Sequence, residues 1–277
     1  MTDLPRDIPK TVARALAEDV GTGDVTAALL PEDATARARV ISRESAVLCG
    51  RAWFDDVFRQ LDSRVRVEWR LADGAAFAPG DTLCEIEGPV RALLTGERTA
   101  LNFLQTLSGT ASAARRFAEA VAHTRTRVLD TRKTLPGLRS AQKYATRCGG
   151  CTNHRMGLYD LVLIKENHIL AAGSIGAAVA TARQLHPGLT VEVEVENPRE
   201  LEEALAAGAE IVLLDNFGLE GLRSAVARTA GCAKLEASGN VDLTTVAAVA
   251  ETGVDYVSVG AITKHVRAVD LSLRFLS

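Results

Sequence analysis

Aromatic residues are scarce in this 277-residue chain, at 4%, and no basic tail accompanies them. Nucleic-acid binding, which draws on stacking platforms and a cationic stripe, therefore has little support. Long apolar runs are also missing: none approaches the roughly 18 residues that suggest a membrane span. The start MTDLPRDIPK is too polar for a secretory signal, so a cytoplasmic protein is expected. Cysteine is sparse and odd in number (Cys49, Cys84, Cys148, Cys151, Cys232), which fits a reducing compartment better than a disulfide framework. The most local absence is of acid. Between Thr131 and Tyr159 there is no Asp or Glu, although the chain as a whole carries a net charge of −3.

What fills that acid-free window is cationic. Arg127–His168 gathers Arg132, Lys133, Arg139, Lys143, Arg147, His154, Arg155 and Lys165. Such a reversal of sign suits a pocket for a multiply charged anion, because guanidinium groups grip carboxylate and phosphate in bidentate fashion. A solvated basic helix face is the plainer account of a charge run. Against it, Arg132-Lys133 and Lys165 each follow an apolar run (Val128-Leu129 and Leu161–Ile164), as strand-end residues do.

With 47% hydrophobic residues the chain can bury a substantial core, as one large α/β domain or as a barrel with a smaller companion. Thr11–Val20 carries Val12, Ala15, Leu16 and Val20 at helical spacing. Ala36–Cys49 is a mixed strand-like piece, whereas Val65–Leu71 alternates cleanly, the pattern of a half-buried antiparallel strand. Val90 to about Ala122 is helical, with Gly96 and Gly109 as possible breaks. Within it Arg98 reads, by spacing, as a solvent-facing residue with a local ion pair. The first hundred residues thus read as α+β.

From Arg127 the rhythm becomes apolar run, polar tip, helical stretch. The runs are Val128-Leu129, Leu161–Ile164, Val191–Val195, Ile211–Leu214, Lys234-Leu235 and Tyr256–Val259. Helix candidates lie around Ser174–Leu185, Pro198–Ala207, Leu219–Thr229 and Leu243–Glu251. This alternation predicts a parallel sheet with fewer strands than a full eight-stranded barrel, hence an incomplete barrel. Polar tips at the carboxyl ends of such strands gather on one rim, where barrel active sites lie.

Several tips carry chemistry. VEVEVEN places Glu192, Glu194 and Glu196 on one face, which must point inward if helices cover the other. Inward carboxylates need cations or hydrogen bonds. Glu194 and Asp215 suit Mg²⁺, a hard ion; they suit sugar hydroxyls equally, and structural ion pairs with Arg132 or Lys165 remain open. Ser238-Gly239-Asn240 and Val259-Gly260-Ala261 each precede a helix, where backbone N–H groups cradle phosphate. Cys148-Gly-Gly-Cys151 invites a redox or zinc reading, but no second cysteine pair accompanies it.

The segments GERTALNFLQTLSGTA, DTRKTLPGLRSAQKYA, GGCTNHRMGLYDLVLIKENHI, VEVEVEN, LLDN, EASGN and VSVGAITKHVRAVDL, in that order, resemble the decarboxylating quinolinate phosphoribosyltransferase family. One departure is Cys151, where glycine is expected. The resemblance implies transfer of phosphoribosyl from phosphoribosyl pyrophosphate to quinolinate, giving nicotinate mononucleotide, pyrophosphate and CO₂ in NAD biosynthesis. It implies an α/β fold: an open sandwich domain over 1–105, rejoined by 266–277, and an incomplete six- or seven-stranded barrel over 106–265. It also implies a Mg²⁺-dependent homodimer in which Arg98 enters the neighbour's site, overriding the reading from spacing. By position, Arg132, His154, Arg155 and Lys165 would grip the quinolinate carboxylates beside Thr131. Lys133 would face the pyrophosphate or phosphate groups, Glu194 and Asp215 would meet ribose and Mg²⁺, and Ser238–Asn240 with Val259–Ala261 would hold the 5′-phosphate. The chemical roles would fall to Lys133, Lys165, Glu194 and Asp215. Rival readings are a nicotinate-specific enzyme, a Schiff-base aldolase using Lys165, and an anion-binding barrel without turnover.

Overall fold

The computed structural model describes residues 3–276. In chain order the elements begin with α1 (Ile8–Val20), β1 (Thr35–Ser42), β2 (Ala46–Val47) and α2 (Arg51–Leu61). Next come β3 (Arg66–Trp69), β4 (Ala76–Phe77), β5 (Thr82–Pro89), α3 (Val90–Ala120), β6 (Arg127–Leu129) and α4 (Arg139–Cys148). There follow β7 (Val162–Ile164), α5 (Glu166–Ala172), α6 (Ile175–Leu185), β8 (Val191–Val195), α7 (Pro198–Ala206) and β9 (Ile211–Asp215). The chain closes with α8 (Leu219–Thr229), β10 (Lys234–Ser238), α9 (Val246–Ala250), β11 (Tyr256–Ser258), α10 (Ala261–Lys264) and β12 (Leu271–Phe275). By contact these form two units: Met1–Arg115 with Thr134–Gly150 and Ile262–Ser277, and Arg116–Lys133 with Cys151–Ala261.

The first unit is built on an antiparallel sheet in the order β12-β1-β5-β3, so the chain's last strand pairs with its first. Its core holds Trp53, Phe54 and Phe58 from α2 against Leu93, Leu101, Leu104 and Leu107 from α3, all fully buried. Helix α1 begins before the expected Thr11, and of its expected apolar face Val12 and Leu16 are buried, joined by Ile8, while Ala15 and Val20 are half-buried. The alternating Val67 and Trp69 lie half-buried on β3. The two glycines expected as breaks interrupt nothing: α3 runs through both for 31 residues. Each is there for close approach instead. A Cβ at Gly96 would stand 2.6 Å from the Phe58 ring, and one at Gly109 would overlap the Arg267 carbonyl oxygen.

The middle of the cationic window is also helical. Arg139, Lys143 and Arg147 recur every four residues along α4, and Ala141, Tyr144 and Ala145 of the same helix join the first core, which is why residues 134–150 group there. Lys143 is fully buried, so this face is no solvated basic stripe.

The second unit is a six-stranded sheet, order β6-β11-β10-β9-β8-β7, with every pairing parallel. Among the described residues no ladder joins β6 to β7, so the barrel is incomplete. All six apolar runs became strands. Their outward side chains, among them Val191, Val193, Val195, Val212, Leu214 and Leu235, are buried beneath the helices. Helix α9 starts later than the apolar pattern suggests, because the Asp242 carboxylate accepts the amides of Thr244 and Thr245 at 2.8 and 3.1 Å and holds a turn there.

Candidate active site

Parallel register decides what the interior receives. Glu194 pairs with Leu213, and Leu213 with Glu236, so these three share the inward face of β8, β9 and β10. One layer below, Glu192 joins them; one layer above stand Asp215 and Ser238, themselves paired. Glu192 and Glu236 are fully buried and Glu194 is only partly covered, whereas Glu196 lies beyond the strand and is exposed. VEVEV thus sorts its residues cleanly, valines out and carboxylates in.

His154 reaches down onto the buried pair. Its Nε2 lies 3.0 Å from Glu192 Oε2 and 3.4 Å from Glu236 Oε2. Burial alone would lower the histidine's proton affinity, but the two carboxylates close beside Nε2 outweigh it and raise its pKa to about 10. The Glu192 carboxyl is itself pushed up, chiefly by burial. Nδ1 accepts the Arg155 amide at 2.7 Å, a bond that requires the ring to be protonated at Nε2 alone and so opposes the upward shift. A second proton at Nδ1 displaces that amide. The segment's position comes from Asp130, the fully buried residue just after β6: its carboxylate accepts Asn153 Nδ2 at 2.6 Å and the His154 amide at 2.9 Å.

Above this buried layer lies the cationic rim. Thr131 Oγ1 accepts the Lys133 amide at 3.0 Å, turning the chain sharply after β6 and presenting Arg132 and Lys133 at the strand end. Arg155 is half-buried, and both burial and the neighbouring charge of Arg132 press its guanidinium toward a lower pKa. Lys165 stands at the end of β7, where its Nζ contacts Glu194 Oε2 and its amide donates to His168 Nδ1 at 3.0 Å.

The two phosphate-like tips are also built. Gly239 has φ +103°, and a Cβ there would overlap Asn216 Oδ1; Asn216 and Asn240 both adopt left-handed backbone, at φ 57° and 50°. Asn216 donates from Nδ2 to Asp215 Oδ2 at 2.8 Å and from its amide to the Ser238 carbonyl at 2.9 Å, which locks the β9 tip to the β10 tip. Gly260, after β11, leaves room for Lys133: a Cβ would come within 2.8 Å of Lys133 Cδ.

The second unit therefore brings together Thr131, Arg132, Lys133, His154, Arg155, Lys165, Glu194, Asp215, Ser238–Asn240 and Val259–Ala261 around one set of strand ends. Arg98 belongs to the first unit, exposed on α3. Asp130, Asn216 and Glu236 are the site residues that sequence reasoning misses. The period-two pattern in KLEASGN, which puts Glu236 beneath Ser238, is a signal for the last of these. Cys151 is buried, its thiol pushed up to about 12 mainly by burial, and it takes no part in the rim.

Comparison with known proteins agrees along the whole chain. Residues 24–108 match the family model for the quinolinate phosphoribosyl transferase N-terminal domain, and 110–274 that for the C-terminal domain. The nicotinate-nucleotide pyrophosphorylase [carboxylating] of Mycobacterium leprae is 42% identical over 280 residues, covering 98% of this chain and 97% of that protein. The probable enzyme of the same name from Bacillus subtilis is 38% identical, covering 96% and 92%. Among solved structures, the nicotinate-nucleotide pyrophosphorylase of Francisella tularensis superposes with a TM-score of 0.96 at 47% identity, covering 99% of this chain and 98% of that one. The human nicotinic acid phosphoribosyltransferase, at 15% identity and a TM-score of 0.65, shares the fold alone.

Proposed function

The chain belongs to the quinolinate phosphoribosyltransferase family, and on that premise we propose that the carboxyl-end rim of its parallel sheet is where the family's reaction takes place. That reaction transfers phosphoribosyl from phosphoribosyl pyrophosphate to quinolinate and releases CO₂, yielding nicotinate mononucleotide. The observation that carries the placement is the gathering of Arg132, Lys133, half-buried Arg155 and Lys165 around the carboxyl ends of β6 and β7. Like charges crowded into a partly desolvated rim are relieved by a dianion.

In this reading Arg132, His154, Arg155 and Lys165 hold the two quinolinate carboxylates, with Thr131 lining the turn and Lys133 facing pyrophosphate. Ser238–Asn240 and Val259–Ala261 cradle the 5′-phosphate, an assignment supported by the left-handed backbone at Gly239 and Asn240. The inward carboxylates have a matching role. As pyrophosphate leaves, the ribose C1 gains positive charge, which Glu194 and Asp215 stabilise in the transition state. Attachment makes the pyridine nitrogen cationic, and that nitrogen stabilises the carbanion left by the departing carboxylate. No covalent nucleophile is needed, so the side chains bind, orient and supply fixed charge.

Glu194 and Asp215 also fit Mg²⁺: they offer only oxygen, share one face of adjacent strands, and are partly exposed, leaving room for water and phosphate oxygens. When bound, the ion would offset the charge of pyrophosphate. A homodimer completed by the partner copy's Arg98 fits the exposure of Arg98, and the exposed Leu158, Tyr159, Leu170 and Leu185 of the second unit offer apolar surface for such a partner. A cytoplasmic location suits five free cysteines, and no helix among the described residues is long and apolar enough to cross a membrane.

The test is product formation from quinolinate, phosphoribosyl pyrophosphate and Mg²⁺, followed by chromatography, with nicotinate as the control substrate. Turnover with quinolinate alone is expected. Turnover with nicotinate instead would move the specificity to the monoacid, and none with either would overturn the reading.

A further inference from the structure

The first unit holds a second cluster of reactive side chains, remote in chemistry from phosphoribosyl transfer. Cys49, fully buried after β2, and Cys148, half-buried as the last residue of α4, have their sulfurs and a carboxylate oxygen of Asp73 all within 4.8 Å of one another. The backbone around both cysteines is pinned. Ser108 Oγ accepts the Cys49 amide at 3.0 Å and donates to its carbonyl at 3.2 Å. Arg115 donates to the Gly149 and Gly74 carbonyls, each at 3.1 Å, on either side of Cys148 and Asp73.

We propose that Cys49 and Cys148 form a redox-active dithiol that takes hydrogen peroxide as its oxidant, with Cys148 attacking and Cys49 resolving. Access divides the roles: Cys148 alone of the two is reached by solvent. The thiol chemistry agrees. A hydrogen bond from Cys49 holds the Cys148 thiol below its ordinary value, helped by Tyr144 and the charge of Arg147 and opposed by burial and Asp73. Burial drives the Cys49 thiol the other way, so it stays protonated until it is needed.

The step balances. The Cys148 thiolate attacks one peroxide oxygen, the O–O bond breaks, and a proton carries the other oxygen away as water, leaving a sulfenic acid. The Cys49 sulfur then attacks the Cys148 sulfur, the S–O bond breaks, and the Cys49 proton leaves with the hydroxyl as a second water. Two thiols are oxidised and one peroxide is reduced. Closing to the ~2 Å of a disulfide needs a side-chain rotation, which the helix-terminal place of Cys148 allows.

Two neighbouring accounts fit less well. Cys148 and Cys151 form the pair suggested by sequence spacing, but it is the Cys49 sulfur that lies within 4.8 Å of the Cys148 sulfur. A metal held by Cys49, Asp73 and Cys148 competes with existing bonds: Asp73 Oδ1 accepts the Arg51 amide at 3.3 Å and Oδ2 the Tyr144 hydroxyl at 2.8 Å.

The experiment uses the full chain carrying Cys232→Ser, so that the exposed thiol does not report. Stoichiometric peroxide is followed by alkylation under denaturing conditions and peptide mass mapping, a readout that needs no turnover and is therefore separable from any failure of the proposed activity. The expected product joins the Cys49 and Cys148 peptides, is lighter by two hydrogens, reverts with dithiothreitol, and leaves Cys84 and Cys151 alkylated. In Cys49→Ser, a sulfenic acid at Cys148, trapped by a cyclic diketone, replaces the cross-link. Full alkylation of both thiols after peroxide overturns the proposal. So does a cross-link from Cys148 to Cys151, or stoichiometric zinc that shields both sulfurs.

Discussion

The two ends of the parallel sheet are built by opposite rules. At the amino ends charges are matched and the acids are tied to backbone. Asp255 accepts Lys234 Nζ at 2.8 Å and the Leu235 amide at 3.0 Å, and Glu210 accepts Arg183 Nη2 and the Val191 amide at 3.0 and 2.9 Å. Thr126, fully internal, donates to the Val254 carbonyl at 2.7 Å. At the carboxyl ends Arg155 is pressed by Arg132, carboxylates face inward, and three residues, Asn216, Gly239 and Asn240, adopt left-handed backbone. One end is tied to backbone throughout; the other, on the proposed reading, is where the substrates bind. Barrel folds divide stability and function between their ends in this way, and local strain at the working end is the expected counterpart.

The comparison breaks most visibly if the working end is not shared between two copies. Lys165→Ala and Arg98→Ala should each abolish nearly all turnover, while an equal mixture after subunit exchange should regain about a quarter of it, since half the dimers are hybrids and each hybrid has one intact site. No recovery after verified exchange would leave Arg98 outside the site. Next in size, Arg155→Ala or Arg132→Ala removes charge-assisted bonds to a dianion and should weaken quinolinate binding by about 2 kcal/mol or more, some thirtyfold, in calorimetry. Unchanged affinity would dissociate the pressed pair from substrate binding.

The buried layer beneath the rim sharpens the contrast through pH. His154 has its pKa raised from 6.5 to about 10, so its contribution to stability is fully present below 6.5 and fades as pH rises through 10. Glu236→Gln takes away one of the charges responsible, and the His154 titration followed by NMR should move down toward 6.5. A midpoint already near 6.5 in the unaltered protein would show that the Arg155 amide, held on Nδ1, outweighs the two carboxylates.

How far these ends could be read from sequence differed with the physics involved. Apolar runs report strands directly, because outward positions such as Val191, Val193 and Val195 must be buried whatever the site does. Arg132, Lys165 and Asp215 were legible for the same reason, each being tied to the end of a run, and Glu194 through the period-two alternation of VEVEVEN. Register is not written in any one strand. That Glu236 lies beside Leu213 and below His154, or that Asn216 bridges two tips, depends on pairings between segments far apart in the chain. Gly96 and Gly109 misled because a glycine that permits close packing looks the same in sequence as one that ends a helix. The spacing of Cys148 and Cys151 invited a pairing that the sequence reading set aside, and the neighbour of Cys148 in space, Cys49, is about a hundred residues away in the chain, where no local pattern points to it.

The smallest expected effect tests the quiet end. Asp255→Asn keeps the shape but loses the carboxylate that pairs with Lys234 and receives the Leu235 amide. With solvent screening allowed for, the loss of stability should be about 1 kcal/mol or less, with kcat and KM unchanged. Acid titration gives the sign. Burial works to raise the Asp255 carboxyl, but the Lys234 and Leu235 hydrogen bonds outweigh it and hold it below 3.8. Its contribution is therefore present above 3.8 and fades as pH falls through the lower folded value, so the difference in Tm between the two proteins should vanish on acidification and stay constant near neutrality. A fall in kcat with Tm unaltered would place Asp255 among the working residues and erase the division between the two ends.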